Sequence, residues 1–314
     1  MQNSELAPIV LFVYNRPDCT KLTLEHLKLN VFADQSELYI YSDGPKLNAS
    51  EEDLKKIKEV RKIISEEKWC KNVHVIESPI NVGLANSIIS GVSETIKKNG
   101  KIIVLEDDLL TSVHFIEYMN DGLNRFATNE KVFQIVGYTV PVNNEFKNAA
   151  TFLPFSSTWG WGTWSRAWNY FERSPRDYVV LKTDQKICRK FNLDNSFPYS
   201  DMLISQMEKG IDSWGITWWW AVFKQKGVCL FPDRTLVANI GFGVDATHTI
   251  GKTGNLNKYW LIDYRINYLP NKVIINLKFY SKVKSYYRNY NRKPLISKII
   301  NKLYRLWCIS IKLS

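Results

Sequence analysis

Residues 102–108 read Ile-Ile-Val-Leu-Glu-Asp-Asp, an apolar run of strand length that ends in three consecutive carboxylates. Four apolar residues in succession suit a buried strand. The three carboxylates repel one another unless a divalent metal, a positive side chain or solvent relieves them. Hard oxygen ligands of this kind suit Mg²⁺ or Mn²⁺. The other reading of Glu106-Asp107-Asp108 is a solvated loop, or an acidic cap on a helix that follows, since Asp stabilises helix starts.

Upstream, the chain alternates strands with helices. Pro8 to Tyr14 (PIVLFVY) is an apolar run, followed by Asn15-Arg16-Pro17-Asp18 and a helical pattern carrying Leu22, Leu24, Leu27 and Leu29. Glu37 to Ser42 (ELYIYS) ends in Asp43-Gly44-Pro45, and a charged helix spans Ser50 to Lys68, with Ser50 and Asp53 forming an imperfect capping box. Val73 to Ile76 is a third strand, Asn81-Val82-Gly83 a turn, and Leu84 to Lys98 a helix closed by Asn99-Gly100. This alternation predicts an α/β fold with a mostly parallel central sheet flanked by helices. In such sheets ligands bind outside the carboxyl ends of the strands, where Arg16, Asp43, Asn81 and Asp108 fall. A cation, a carboxylate, a polar turn and an acidic metal site on one edge suit a nucleotide diphosphate. Taken singly, each is also a turn-former or helix cap. Neither GxGxxG nor GxxxxGKS/T follows the first strand, which argues against a dinucleotide-binding or P-loop protein.

The 314 residues are 45% hydrophobic, enough for one large domain or two small ones. The formal net charge of +11 is uneven: from residue 264 onward there are 12 Lys and Arg and no Asp or Glu, leaving 42 − 12 = 30 basic against 31 acidic residues before it. A nearly neutral 1–263 argues against a nucleic-acid-binding core, and the basic 264–314 points to an anionic surface such as a membrane. We therefore expect a catalytic domain over 1–263, with a nucleotide-binding half (1–110) and an acceptor half (111–263), then a basic tail over 264–314. The five cysteines (Cys19, Cys70, Cys188, Cys229, Cys308) contain no CxxC pair, which fits a reducing compartment and a cytoplasmic protein. No basic leader opens the chain and nowhere do about 18 apolar residues run uninterrupted, so neither a signal peptide nor a transmembrane span is expected.

The motifs NRPD, SDGP, NVGLANSI and IIVLEDD, in this order, resemble those of the nucleotide-diphospho-sugar glycosyltransferases of the GT-A (Rossmann-like) fold. The likeness is to bacterial family-2-like sugar transferases of surface-polysaccharide gene clusters, and more distantly to the eukaryotic N-acetylglucosaminyltransferase that starts complex N-glycan branching. It covers roughly residues 7–250. The resemblance implies that Arg16 and Asp43 contact the nucleoside, with Asn81 and Gly83 also in the nucleotide-sugar site. Glu106 and Asp107 would lie near the sugar and ribose, and Asp108 would ligate the metal. The segment Pro154-Phe155-Ser156-Ser157-Thr158-Trp159-Gly160-Trp161-Gly162 resembles the family's Gly-Trp lining of the sugar and acceptor cleft, which implicates Trp161. KGVCLFPDRTLVANIGFG, leading to His248, resembles the strand and loop that close the site, and a late His in many GT-A enzymes reaches the metal or diphosphate.

Read from the residues, Trp159, Trp161, Trp164 and Trp168 are too irregularly spaced for one strand face, and the glycines predict a loop. These rings either stack on sugar or pack beneath the loop. Asp212 precedes the apolar run Gly215 to Phe223, a predicted buried helix, and serves either as its N-cap or as a base for an acceptor hydroxyl. The family often carries a further acidic residue where this chain has Gly215. His26, His74 and His114 fall within predicted helices or a strand and read as structural.

Beyond Pro294, Ile296, Ile299, Ile300, Leu303 and Trp307 recur at helical spacing, with Lys298, Lys302 and Arg305 on the other face. Such a helix lies in a membrane interface, or docks on the catalytic domain or a second subunit. The whole implies a metal-dependent inverting glycosyltransferase using Mn²⁺ or Mg²⁺ and a UDP-sugar. Its acceptor would be a saccharide on a lipid carrier, at the inner face of the membrane. The competing classes are a sugar nucleotidyltransferase, whose Gly-rich basic loop NRPDCT is not, and a non-catalytic nucleotide-sugar-binding protein.

Overall fold

The computed structural model describes residues 6–143, 145–210, 212–241 and 260–291. Ten strands occur among them: β1 (Ile9–Val13), β2 (Glu37–Ser42), β3 (Asn72–Glu77), β4 (Lys101–Glu106), β5 (Leu109–Thr111), β6 (Val132–Val136), β7 (Ala150–Leu153), β8 (Trp161–Trp164), β9 (Val228–Pro232) and β10 (Val237–Asn239). The main sheet has the order β3-β2-β1-β4-β8-β6-β9-β7. β3, β2, β1 and β4 pair in parallel, β8 runs against both β4 and β6, β9 follows β6, and β7 runs against β9. Six of the eight strands therefore point one way, and helices flank the sheet, as expected.

The first half follows its sequence signals closely. α1 (Pro17–Lys28) starts on a proline, whose missing N–H costs nothing there. α2 (Glu51–Glu66) is capped by Ser50, which accepts from the Asp53 amide at 3.1 Å. α3 (Leu84–Asn99) begins after Gly83 and ends on Gly100 in the left-handed conformation. α4 (Phe115–Arg125) starts only after β5, so no helix follows directly on the acidic triplet. Five helices come next, three of them short: α5 (Ser165–Trp168), α6 (Val180–Thr183), α7 (Gln185–Phe191), α8 (Tyr199–Lys209) and α9 (Trp214–Lys224).

The Gly-Trp segment departs from its loop reading. Trp161–Trp164 is β8, inserted between β4 and β6 with every residue buried. A strand covered on both faces needs no alternation of polar and apolar residues, and Trp159 precedes β8 while Trp168 belongs to α5, so the four tryptophans share no one element. Gly162 fits closely there, since a Cβ would lie 3.0 Å from the Ile102 carbonyl oxygen.

Residues 264–291 also differ from a detached appendage. Tyr268 bridges Ala149 and Ile275 bridges Phe152, extending the β7 edge. α10 (Leu277–Asn291) then buries Phe279 and Val283 in the core. The expected boundary at 263/264 thus falls inside a docked segment, because its apolar positions find partners on the domain. The amphipathic run after Pro294 lies outside the described residues. Among those described, no helix is long and apolar enough to cross a membrane.

Candidate active site

The acidic triplet forms the exit from β4. Ile102 to Leu105 are fully buried, Glu106 closes the strand, and Asp107-Asp108 make the turn into β5. β5 pairs antiparallel with β10, so the triplet sits between two strands and the helix-cap reading falls away. Thr23 Oγ1 donates to the Asp107 carbonyl at 2.9 Å, and the Ile240 amide to the Asp108 carbonyl at 2.9 Å. Gly241 packs so closely that a Cβ would lie 1.9 Å from Asp108 Oδ2.

Arg16, at the N-cap of α1, places Nη1 3.0 Å from Asp108 Oδ2 and 3.8 Å from Asp107 Oδ1. One guanidinium does not balance three carboxylates. Burial pushes Glu106 up to about 8, with Asp108 and Asp107 adding repulsion and Arg16 offsetting part of it. Burial, then the Asp108 charge, pushes Asp107 up to about 7, and burial raises Asp108 against the pull of Arg16. Among the described residues the turn is short of positive charge.

Asp43 plays a different part. Its Oδ1 accepts from the amides of Gly44 (2.8 Å) and Val82 (2.9 Å), and its Oδ2 from Asn81 Nδ2 (3.0 Å) and the Gly83 amide (3.0 Å). A carboxylate offers about four lone-pair sites, and all four are engaged. Asn81 Nδ2 also reaches the Gly44 carbonyl at 3.0 Å. The carboxylate therefore clamps the loop after β2 to the loop after β3, and it fixes Gly83, at φ 82°, at the start of α3. Gly44 has no room for a side chain, since a Cβ would meet the Ile80 backbone at 2.5 Å.

These loops surround a cleft of about 290 Å³. Arg16, Asp43, Asn81, Gly83, Glu106, Asp107, Asp108 and Asp212 all line it. Asp212 lies just before Ser213, which occupies the N-cap position of α9, and its half-exposed carboxylate is 3.4 Å from Arg173 Nη2. Trp161 lies elsewhere. It is 1% exposed and packs against Trp214, Trp168 and Trp218 with ring centroids 5.3–6.0 Å apart. The reading of this ring as a wall of the sugar cleft is corrected: a strand covered on both faces holds it in the core. His248 falls outside the described residues. Tyr14, Tyr41 and Lys46 line the cleft and were not singled out from the sequence. Tyr14 ends the first apolar run and Lys46 follows SDGP, a signal that position at a strand end supplies. Nothing in the sequence marks Arg173.

Among the described residues no group of three or more His, Cys, Asp or Glu is arranged to hold a metal. Asp107 and Asp108 nonetheless offer the donor set that Mg²⁺ or Mn²⁺ takes, one or two carboxylates completed by phosphates and water. The shortfall of positive charge at the turn agrees with that fit.

No family model and no curated protein sequence matches this chain. Among solved structures it is similar to S. aureus TarS, at 10% identity and a TM-score of 0.38 over 75% of this chain and 37% of that one. It is also similar to mouse xyloside xylosyltransferase 1 in its apo form, at 12% identity and a TM-score of 0.39 over 86% of this chain and 99% of that one. The chain thus spans little more than a third of TarS, and both superpositions are loose.

Two outcomes follow from the geometry. Asp43→Asn sets an amide donor against donors of the clamp, and we expect it to cost about 2–3 kcal/mol in urea unfolding. For the acidic turn, the folded chain retains protons on Glu106 and Asp107 that the unfolded chain has lost above about pH 4. In chelator, stability should be full below that pH and fall as pH rises through about 8. Thermal melts at stepped pH should show a shallower fall for Asp107→Asn.

Proposed function

We propose that the chain is a metal-dependent, inverting glycosyltransferase that moves a sugar from a nucleotide-diphospho-sugar, a UDP-sugar, to a saccharide hydroxyl. The observation that carries this reading is the gathering of a cation, Arg16, a charge-deficient acidic turn, Asp107-Asp108, and a half-exposed carboxylate, Asp212, around one cleft. The sequence motifs NRPD, SDGP, NVGLANSI and IIVLEDD support it, because all four end on this cleft or its walls.

In this reading Asp212 takes the proton of the acceptor hydroxyl as its oxygen attacks the anomeric carbon from the face opposite the diphosphate. The bond from that carbon to the diphosphate oxygen breaks, and the nucleoside diphosphate leaves with the electron pair. Arg16 is a cation the chain itself presents to the departing charge. Mn²⁺ or Mg²⁺ held by Asp108, with Asp107 beside it, would supply further neutralisation of the leaving group. Asp43, Asn81 and Gly83 shape the nucleoside wall, and Glu106 lies toward the sugar and ribose. His248 is assigned to the metal or diphosphate side.

The acceptor we assign is a growing bacterial surface polysaccharide, capsule or O-antigen, carried on a lipid. The enzyme would work from the cytoplasm at the inner face of the membrane, drawn there by the basic amphipathic run after Pro294. No nucleic acid is involved.

A thermal-shift screen of nucleotide sugars with Mn²⁺ tests the reading. A UDP-sugar should stabilise the chain only when metal is present, and Asp108→Ala should abolish that shift. Asp212→Asn should keep the shift yet lower turnover by about 10²–10⁴-fold. Absence of metal-dependent UDP binding, or full activity in Asp108→Ala, would sink the proposal, and binding without transfer to any saccharide would leave a binding protein.

A further inference from the structure

A second and larger cavity, a groove of about 790 Å³, lies between the C-terminal half of α9, α7 and the start of α10. Its apolar wall is formed by Trp219, Trp220, Phe223, Ile187, Ile275 and Tyr280. The polar atoms of the indoles are satisfied from within the protein. Trp219 Nε1 donates to the Phe191 carbonyl at 3.3 Å, and Trp220 Nε1 to Asp177 Oδ1 at 2.9 Å. The two indoles are only 2–3% exposed, so the surface the groove opens to a ligand is that of the half-buried Ile187, Phe223 and Tyr280. A saccharide or nucleobase set against it would leave its hydroxyl or amide groups unpaired, whereas a hydrocarbon chain would not.

The charges around the groove are unequal. Asp177 is paired with Lys224 at 2.9 Å and Asp194 with Lys284 at 2.6 Å. Lys190 and Lys226 line the same groove, and among the described residues neither has a carboxylate partner. Six described non-glycine residues adopt left-handed φ, and four of them, Leu193, Asp194, Asn195 and Lys226 at 50–59°, lie at or beside this rim. Leu193 and Lys226 directly follow the C-caps of α7 and α9, where helices commonly end in this conformation.

We propose that this groove binds an anionic amphiphile, a single hydrocarbon chain lying on Ile187, Phe223 and Tyr280 with its terminal phosphate met by Lys190 and Lys226. Apolar ring faces and lysines without carboxylate partners are complementary to the two ends of such a molecule. α9 joins this groove to the donor cleft, since Asp212 precedes its first turn and Phe223 and Lys224 belong to its last. The site stands independently of the glycosyltransferase reading.

Calorimetric titration of the full chain with dodecyl phosphate, kept below its micelle threshold, tests the proposal. We expect saturable binding, at least tenfold weaker binding of dodecyl maltoside and no heat from inorganic phosphate. The double variant Lys190→Glu/Lys226→Glu should weaken dodecyl phosphate at least tenfold while leaving the melting temperature and Mn²⁺-dependent UDP binding unchanged. Ile187→Trp, which narrows the groove, should weaken it without altering the surface charge. Absence of saturable binding, equal affinity in the charge-reversed variant, equal affinity for the uncharged amphiphile, or displacement by UDP with Mn²⁺ would each overturn it. The last result would place the amphiphile in the donor cleft.

Discussion

Three carboxylates held at the end of a fully buried strand, with one guanidinium among the described residues to answer them, set the terms for the rest of this molecule. β4 cannot slide or flip, because Ile102 to Leu105 are buried on both faces between β1 and β8. The charge is therefore delivered to a fixed place. The Asp107-Asp108 turn is fenced by the Thr23 hydroxyl, the Ile240 amide and the close approach of Gly241. Carboxylates kept from water in this way favour their neutral form until a cation arrives. Such a site has a chemical preference before any substrate binds.

The aromatic core places the other half of the cleft. Trp161 in β8 stacks on Trp214, the first residue of α9, and Trp168 and Trp218 complete the cluster. That packing anchors the start of α9, and Asp212 two residues before it is set at the cleft mouth beside Arg173. The tryptophans thus act on the site through the position of a helix. The same helix presents Phe223 to the second groove, so one element carries both cavities.

The wall opposite the acidic turn depends on Asp43. A single carboxylate that accepts from Gly44, Asn81, Val82 and Gly83 welds two loops from separate strands into one surface. Each bond is short-range and polar, and burial protects it from competition with water. Asp43 thereby fixes where the α3 N-terminus lies relative to the cleft.

The sequence by itself determined the first four strands and three helices, because each carries local signals: apolar runs, the Ser50 cap, Pro17 at a helix start and Gly100 at a helix end. It also determined that Arg16, Asp43, Asn81 and Asp108 share an edge, since parallel strands must all release their chains on one side. Tertiary structure alone decided that Trp161 is core, because only the insertion of β8 between β4 and β6 covers both of its faces. It decided, too, that Asp43 is saturated by loop donors, that Arg173 meets Asp212, and that residues 264–291 dock on the β7 edge. Those outcomes rest on contacts between segments far apart in the chain, and spacing along a sequence carries no record of which distant surface a side chain will find.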